Sequence, residues 1–408
     1  MFCLKTALLN IRRHKSKSIL VVLTCMLIVI FVFIYMNGIR TNEEQLHSLP
    51  QAIPVYAQIC NLNGSQEVGL LIREQLLDDV QSTGKIKDLH YTARLAGSLS
   101  PATDTGNLSG ICSVQGFNDI GTVPNLPDRK IQLADGRDTA FFQGTEALCL
   151  ASESFLQQNK LSIGDTVDLE LFMYKYFSPE SSVYTLEPLA KGSLRIAGSI
   201  SAPTSGKDPV NTDILCPVGW MKEKYVQTGE IFYLDSASFT VADALNLNAF
   251  KEAMTQCHLI PVSTLSKYFI WGEALRVKDE VFVSTAGRLK SNLSVLYTFA
   301  AVIFAVIALV GYAIAYLLMQ GRRTDIAIMR SLGTSRRMCV VMMLMEFALL
   351  GLAGSLFGII CAFIWLGPAW STLLYALFFT ASLLTGIAAA ALQLSRGNTM
   401  TGLIKTES

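Results

Sequence analysis

Charge is scarce in this chain. Only 16% of its 408 residues are Asp, Glu, Lys or Arg, while 51% are hydrophobic. The formal net charge of +1 excludes a nucleic-acid binder that works through a basic face. Histidine is scarcer still: the four residues are scattered, no H-E-x-x-H exists, and the nine cysteines include no C-x-x-C. Zinc hydrolysis and thioredoxin-type exchange therefore have no motif to work from. A Walker A loop is missing as well. Ser201–Asp208 reads SAPTSGKD, without the first Gly and the final Ser/Thr. No catalytic, cofactor or metal site is expected, and the chain is not read as an enzyme. Five cysteines (Cys60, Cys112, Cys149, Cys216 and Cys257) are too widely spaced and odd in number to form a disulfide framework, so they are expected as small buried residues. Finally, residues 41–292 contain no apolar run long enough to cross a membrane.

Long apolar runs lie on both sides of that stretch. Ile19–Met36 is broken only by Thr24; Leu293–Met319, Met338–Leu366 and Ser371–Leu392 complete a set of four. Each meets the length of about 20 residues that a bilayer requires. Basic residues sort the ends. Residues 1–17 carry Lys5, Arg12, Arg13, Lys15 and Lys17 with no acid, and Leu4, Ala7, Leu8 and Ile11 share one helical face. This segment reads as an interfacial amphipathic helix on membrane lipid. Between the second and third runs, Arg322, Arg323, Arg330, Arg336 and Arg337 face a single acid, Asp325. Both basic segments are expected on the cytoplasmic side, with both termini inside the plasma membrane.

The fold class expected is membrane α-helical, with four transmembrane helices and a large α+β extracytoplasmic domain. The divisions are an interfacial helix (1–17), a first span (18–37), the outer domain (38–278), a stalk with the second span (279–319), a cytoplasmic helix (320–337), a third span (338–366), a fourth (371–393) and a tail (394–408). Within the outer domain, the expected elements are a strand Ile53–Cys60, a helix Leu70–Gln81, strands Leu89–Ala93 and Ser238–Ala242, and a helix Leu247–Cys257. Residues 96–236 read as a β-rich insert, with strands at Val114–Phe117, Ala147–Leu150, Thr166–Phe172 and Leu194–Ser199 and a helix at Phe155–Asn159. Asp135, Gly136, Arg137, Gly164 and Asp165 read as turn-formers. A helix from about Asp279 through Met319 would be about 60 Å long, twice the hydrocarbon layer, so part of it must project.

Two further features are local. In segment 320–337, Thr324 and Asp325 can start a short helix. Ile328, Met329 and Leu332 give it a largely apolar face that begins at Asp325, and Gly333 can end it in a left-handed turn. In the third span, Glu346 sits about 12 Å past Met338 and must face protein, water or a basic partner. Gly351, Gly354, Ser355, Gly358 and Ala362 form a small-residue stripe for close helix packing, on this chain or on a second copy.

The stretch 320–358 resembles the permease subunit of FtsX/MacB-type ABC transporters. That family carries a pattern close to R-R-x-E-I-x-I-x-x-x-L-G-x-[ST] followed by E-x-x-x-L-x-x-x-G-x-x-x-G. Here Arg322, Arg323, Asp325, Ile326, Ile328, Leu332, Gly333 and Ser335 match, then Glu346, Leu350, Gly354 and Gly358, with Asp325 standing where the family commonly has Glu. Further fragments occur in the family's order: Val114, Gly116 and Phe117; Asp135, Gly136 and Arg137; Leu161 through Leu169; then Ile196 and Gly198. The resemblance implies that Asp325, Ile328, Met329, Leu332 and Gly333 lie on a coupling helix docking on a separate ABC ATPase subunit, which binds the ATP. It implies a dimer with a second permease copy or paralogue. It also implies a porter-like α/β subdomain (38–95 and 237–278) around the β-rich insert. The expected function is mechanotransmission: ATP hydrolysis moves the outer domain to export or extract a peptide, lipoprotein or amphipathic toxin, with or without a periplasmic or extracellular adaptor. The alternatives are signalling to a cell-wall hydrolase and a membrane-anchored receptor without an ATPase.

Overall fold

A computed structural model describes residues 11–13, 15–99, 110–134, 136–204, 212–263, 267–320, 333–366 and 378–389. The chain divides into two compact units, one drawn from residues up to Ser48 and from Ser284 onward, the other spanning Leu49–Val283.

The first unit is helical. α1 spans Lys15–Ala52, α6 spans Glu280–Gln320 and α7 spans Arg336–Leu366; α8 covers Phe378–Ala389. The first three are long and apolar enough to cross a bilayer; α8 is a shorter apolar helix among the described residues. Their burial pattern is that of a bundle solvated by lipid. Val21, Cys25, Val29, Phe33, Ile307, Phe347 and Leu383 pack inward. Meanwhile Leu20, Leu27, Phe31, Leu309, Phe357 and Ile364 lie exposed. In water, large apolar side chains left outside would cost burial energy; in a bilayer they do not.

α1 is longer than the apolar run that announced it. Its 38 residues would measure about 57 Å. The continuation past Met36 is polar, and i,i+4 contacts carry it. Asn42 Nδ2 donates to Gly38 O at 2.8 Å, and Arg40 pairs with Glu44 at 2.7 Å. Apolarity ends at Met36, but the helix does not, so the span expected over 18–37 is only the first half of a helix. α6 is unbroken through Gly287, and Tyr35 Oη donates to Leu296 O at 2.6 Å within the bundle.

The second unit is built on one mixed sheet. Its strands are β1 (Tyr56–Cys60), β3 (Ile86–Ser98), β4 (Ile111–Phe117), β5 (Ile131–Leu133), β6 (Leu148–Ser152), β7 (Thr166–Tyr176), β8 (Tyr184–Ile200), β9 (Ile214–Pro217), β11 (Ser236–Val241), β12 (Ile260–Pro261) and β13 (Ala274–Lys278). The order is β12-β13-β1-β11-β3-β4-β9-β6-β8-β5, with β7 pairing β3 and β8. A small pair, β2 (Ile72–Arg73) and β10 (Tyr233–Leu234), lies off the sheet. Helices α2 (Glu74–Ser82), α3 (Glu153–Asn159), α4 (Val218–Thr228) and α5 (Leu247–Gln256) complete it.

Three departures from the sequence reading have physical causes. Leu70–Arg73, expected inside a helix, is extended: Leu71 bridges Trp271 and Ile72 pairs Leu234, so tertiary pairing overrides local propensity before α2 begins. β3 runs for 13 residues rather than five because Ala93 and Leu95–Ser98 are all but buried on both faces, and a doubly buried strand shows no alternation. A bulge lies in its first half, where Ser238 pairs His90 but Thr240 pairs Lys87, and Asp88 there takes a φ of 51°. β8 runs for 17 residues, through Pro188 and Gly192, where only Leu194–Ser199 was expected. Pro188 sits at a register shift opposite Phe172, a place where a missing N–H is tolerated. The β-rich insert is therefore not a separate sheet. β3 pairs β11 with its first half and β4 and β7 with its second, joining insert and flanking strands in one ladder.

Candidate functional site

Local sequence places the expected docking element next to α7. Asp325, Ile328, Met329 and Leu332 lie outside the described residues. Gly333 is described, and its φ of +90° belongs to the left-handed region that glycine adopts without steric cost. Ser335 follows it, and its Oγ accepts from Met338 N at 3.4 Å, satisfying an orphan N–H in the first turn of α7.

Within α7, Glu346 is 1% exposed and is engaged in a polar or charged interaction. The glycine stripe faces this chain's own helices. A Cβ added at Gly354 would lie 2.6 Å from Cys25 Cβ and 2.8 Å from Val22 O; at Gly358, 2.7 Å from Val29 Cβ. Gly351 would meet Leu383 at 2.9 Å. The GxxxG pair thus seats α7 against α1, and Gly351 admits α8. Sequence reading missed two partners in this packing, Gly311 in α6 and Gly386 in α8: Gly311 lies against Leu383, and an added Cβ at Gly386 would overlap Ala308 O. Small residues in other spans were the available signal.

A second constellation lies in the sheet unit, and no sequence motif marks it. Arg94 in β3 stacks over the Tyr174 ring in β7, 4.3 Å from its centroid. Arg94 Nη2 donates to Tyr176 Oη at 2.9 Å, and Nε stands 3.3 Å from Asp235 Oδ1. Tyr184 packs edge-on against both Tyr174 and Tyr176. Burial pushes the Asp235 carboxyl above its ordinary value, opposed by Arg94 and by a backbone hydrogen bond from Gly69. The same burial raises the phenols of Tyr174 and Tyr176, with Arg94 acting in the opposite direction. Arg94 and Asp235 are 141 residues apart (235 − 94), so only the fold brings them together. The one available sequence signal was the Tyr174-x-Tyr176 spacing, which puts both rings on one face of a strand.

Cys149 and Cys216 also meet. Leu150 pairs Leu215 across antiparallel β6 and β9, so Cys149 stands opposite Cys216. Both are buried free thiols; burial pushes Cys149 up to about 12 and Cys216 well above its ordinary value. Neither is a nucleophile in the folded domain.

The long apolar helices together with a large mixed-sheet domain define a membrane protein with a substantial part built outside the hydrocarbon layer. Residues 297–399 match the FtsX-like permease C-terminal family, and the resemblance noted at residues 320–358 lies within that stretch. Two solved structures are similar. One is the extracellular domain of the noncanonical ABC-type transporter YknZ from Gram-positive bacteria: 13% identity, TM-score 0.29, covering 55% of this chain and 99% of that one. The other is a domain assigned to a permease protein from Porphyromonas gingivalis: 15% identity, TM-score 0.26, covering 55% and 86%. No curated protein matches the chain.

Proposed function

We propose that the chain is the subunit through which a separate ABC ATPase moves an extracytoplasmic domain, acting on a peptide, lipoprotein or amphipathic toxin outside the membrane. The observation that supports this reading most is the family match over residues 297–399, which encloses the arginine-rich segment 320–337. In this reading α8 is the described part of a fourth span, residues 320–337 face the cytoplasm, and both termini lie inside. Two permeases sit on two ATPases. Since Gly354 and Gly358 are already occupied by α1, the second permease meets other faces.

Ile328, Met329 and Leu332 are the anchors on the ATPase, and the surrounding arginines suit an acidic rim. Truncating such an anchor costs about 1–3 kcal/mol, roughly 5- to 150-fold in affinity. Met329→Ala with Leu332→Ala is expected to release a co-purifying ATPase while the permease still inserts and folds. Pull-down of the tagged permease with its ATPase is the measurement. Full retention of the ATPase by the double variant would remove this segment as the docking element.

A further inference from the structure

Two cavities in the sheet unit, of about 360 and 320 Å³, share a wall made by Arg94, Tyr174, Tyr176, Asp235 and Ile270. Their chemistry differs. The first is lined by Gln66, Ser113, Gln115 and Ser182, groups that both donate and accept hydrogen bonds. The second is lined by Tyr225, Tyr233, Trp271, Phe177 and Ile231. The apolar mouths are open to solvent: Phe177 is 70% exposed, Ile231 66% and Val68 53%.

The shared wall holds a prepared cation. A guanidinium has five N–H donors in a planar fork. Among the described residues Arg94 makes one side-chain hydrogen bond, from Nη2 to Tyr176; Nε is buried beside Asp235, so the donors left for a ligand are those of the two terminal nitrogens. Tyr174 fixes the plane of the fork from one face. Asp235, 8% exposed, offsets the charge of Arg94, whose side chain is 31% exposed. A planar, stacked and under-used fork at a cavity wall matches a carboxylate, which can accept two parallel N–H bonds.

We propose that this double cleft binds the end of an extended peptide, its terminal carboxylate on Arg94 and a bulky apolar side chain against Tyr225, Tyr233 and Trp271. Amides and hydroxyls in the first cavity suit peptide main chain. Charged residues interrupt the second, where Lys175 and Glu230 join the lining, so it suits a side chain better than a long acyl chain. The proposal rests on the reading of this chain as a permease acting on an extracytoplasmic peptide, and it names the recognition element for that substrate.

The test uses the full chain in lipid nanodiscs, with empty nanodiscs as reference. The probes are short fluorescent peptides ending in large apolar residues, the same peptides as C-terminal amides, and a lysophospholipid. Saturable binding of the free acids is expected, with the amides weaker by about tenfold or more, because a charged hydrogen-bonded pair is lost. Arg94→Gln is expected to bring acid and amide to the same weak affinity. Phe177→Ser, at an exposed rim, cannot unfold the core and is expected to weaken both forms alike. Equal binding of acid and amide by the unmodified chain overturns the proposal. So does the absence of peptide binding, or binding of the lysophospholipid alone. Co-purification of the ATPase is measured on the same samples. If it persists while peptides fail, only the cleft assignment falls; if it is lost in the unmodified chain, the permease reading falls with it.

Discussion

Glycine does different work in the two units. In the membrane unit Gly354, Gly358, Gly351 and Gly386 remove side chains so that whole helices approach one another. Without water there is no hydrophobic gain between helices, so dispersion at close range must hold the bundle. In the sheet unit the core is built by large side chains instead. Phe142 stacks on Phe141 at 4.4 Å and meets Phe117 edge-on at 6.4 Å, in a cluster with Leu148, Leu150 and Leu215. There burial from water supplies the stability, and the ladder satisfies the backbone. One unit is thus sensitive to added atoms and the other to removed ones.

Phe142→Ala should be the most damaging of the changes that test this contrast. A fully buried aromatic exchanged for alanine costs about 3–5 kcal/mol. Hydrogen exchange on the full chain is expected to show the sheet unit losing that protection while the amides of α1 and α7 keep theirs. Equal loss in both would mean that the units do not respond separately.

Gly354→Leu comes next. An overpacked site costs about 1–3 kcal/mol or more, and here Cys25 and Val22 O leave no room. The expected result is a lower melting temperature in detergent, with protection of the sheet unit unchanged. Tolerance of leucine at this site would mean that α7 does not need close contact with α1.

The smallest effect concerns titration. Gln143 Nε2 donates to Asp119 Oδ2 at 3.0 Å and Gly121 N to Oδ1 at 2.7 Å. These bonds, Gln143 first, hold the Asp119 carboxyl below its ordinary value. A carboxyl with a depressed folded pKa contributes stability above its unfolded pKa, about 3.9, and loses it as pH falls through the folded value. The chain is therefore expected to unfold at higher urea than its Gln143→Ala variant at neutral pH, and the gap should close on acidification below about pH 4. A gap that stays constant with pH would assign the difference to packing alone.

Much of this was legible in residue order. Apolar runs marked α1, α6 and α7, and the family pattern in 320–358 falls within the stretch that the FtsX-like permease C-terminal family matches. The strands that alternate between buried and exposed positions were visible too, as were α3 and α5. The misses have two causes. The second half of β3 is buried on both faces, and β8 passes through Pro188 and Gly192, so only Leu89–Ala93 and Leu194–Ser199 of these long strands were read. Leu70–Arg73 has helical composition but is paired by residues far along the chain.

By itself the sequence determined that the chain enters a membrane, which segments are apolar enough to do so, and that a sheet-forming domain separates the first from the rest. These are additive properties of neighbouring residues, summed over a window of a span or a strand. The tertiary structure decided which helix the glycines face and that the insert shares one sheet with its flanks. It also decided that Arg94 meets Asp235, Tyr174 and Tyr176 at the wall of two cavities. Those outcomes depend on pairs of residues far apart in the chain, and the free energy of such a pair exists only once the backbone has closed the loop between them.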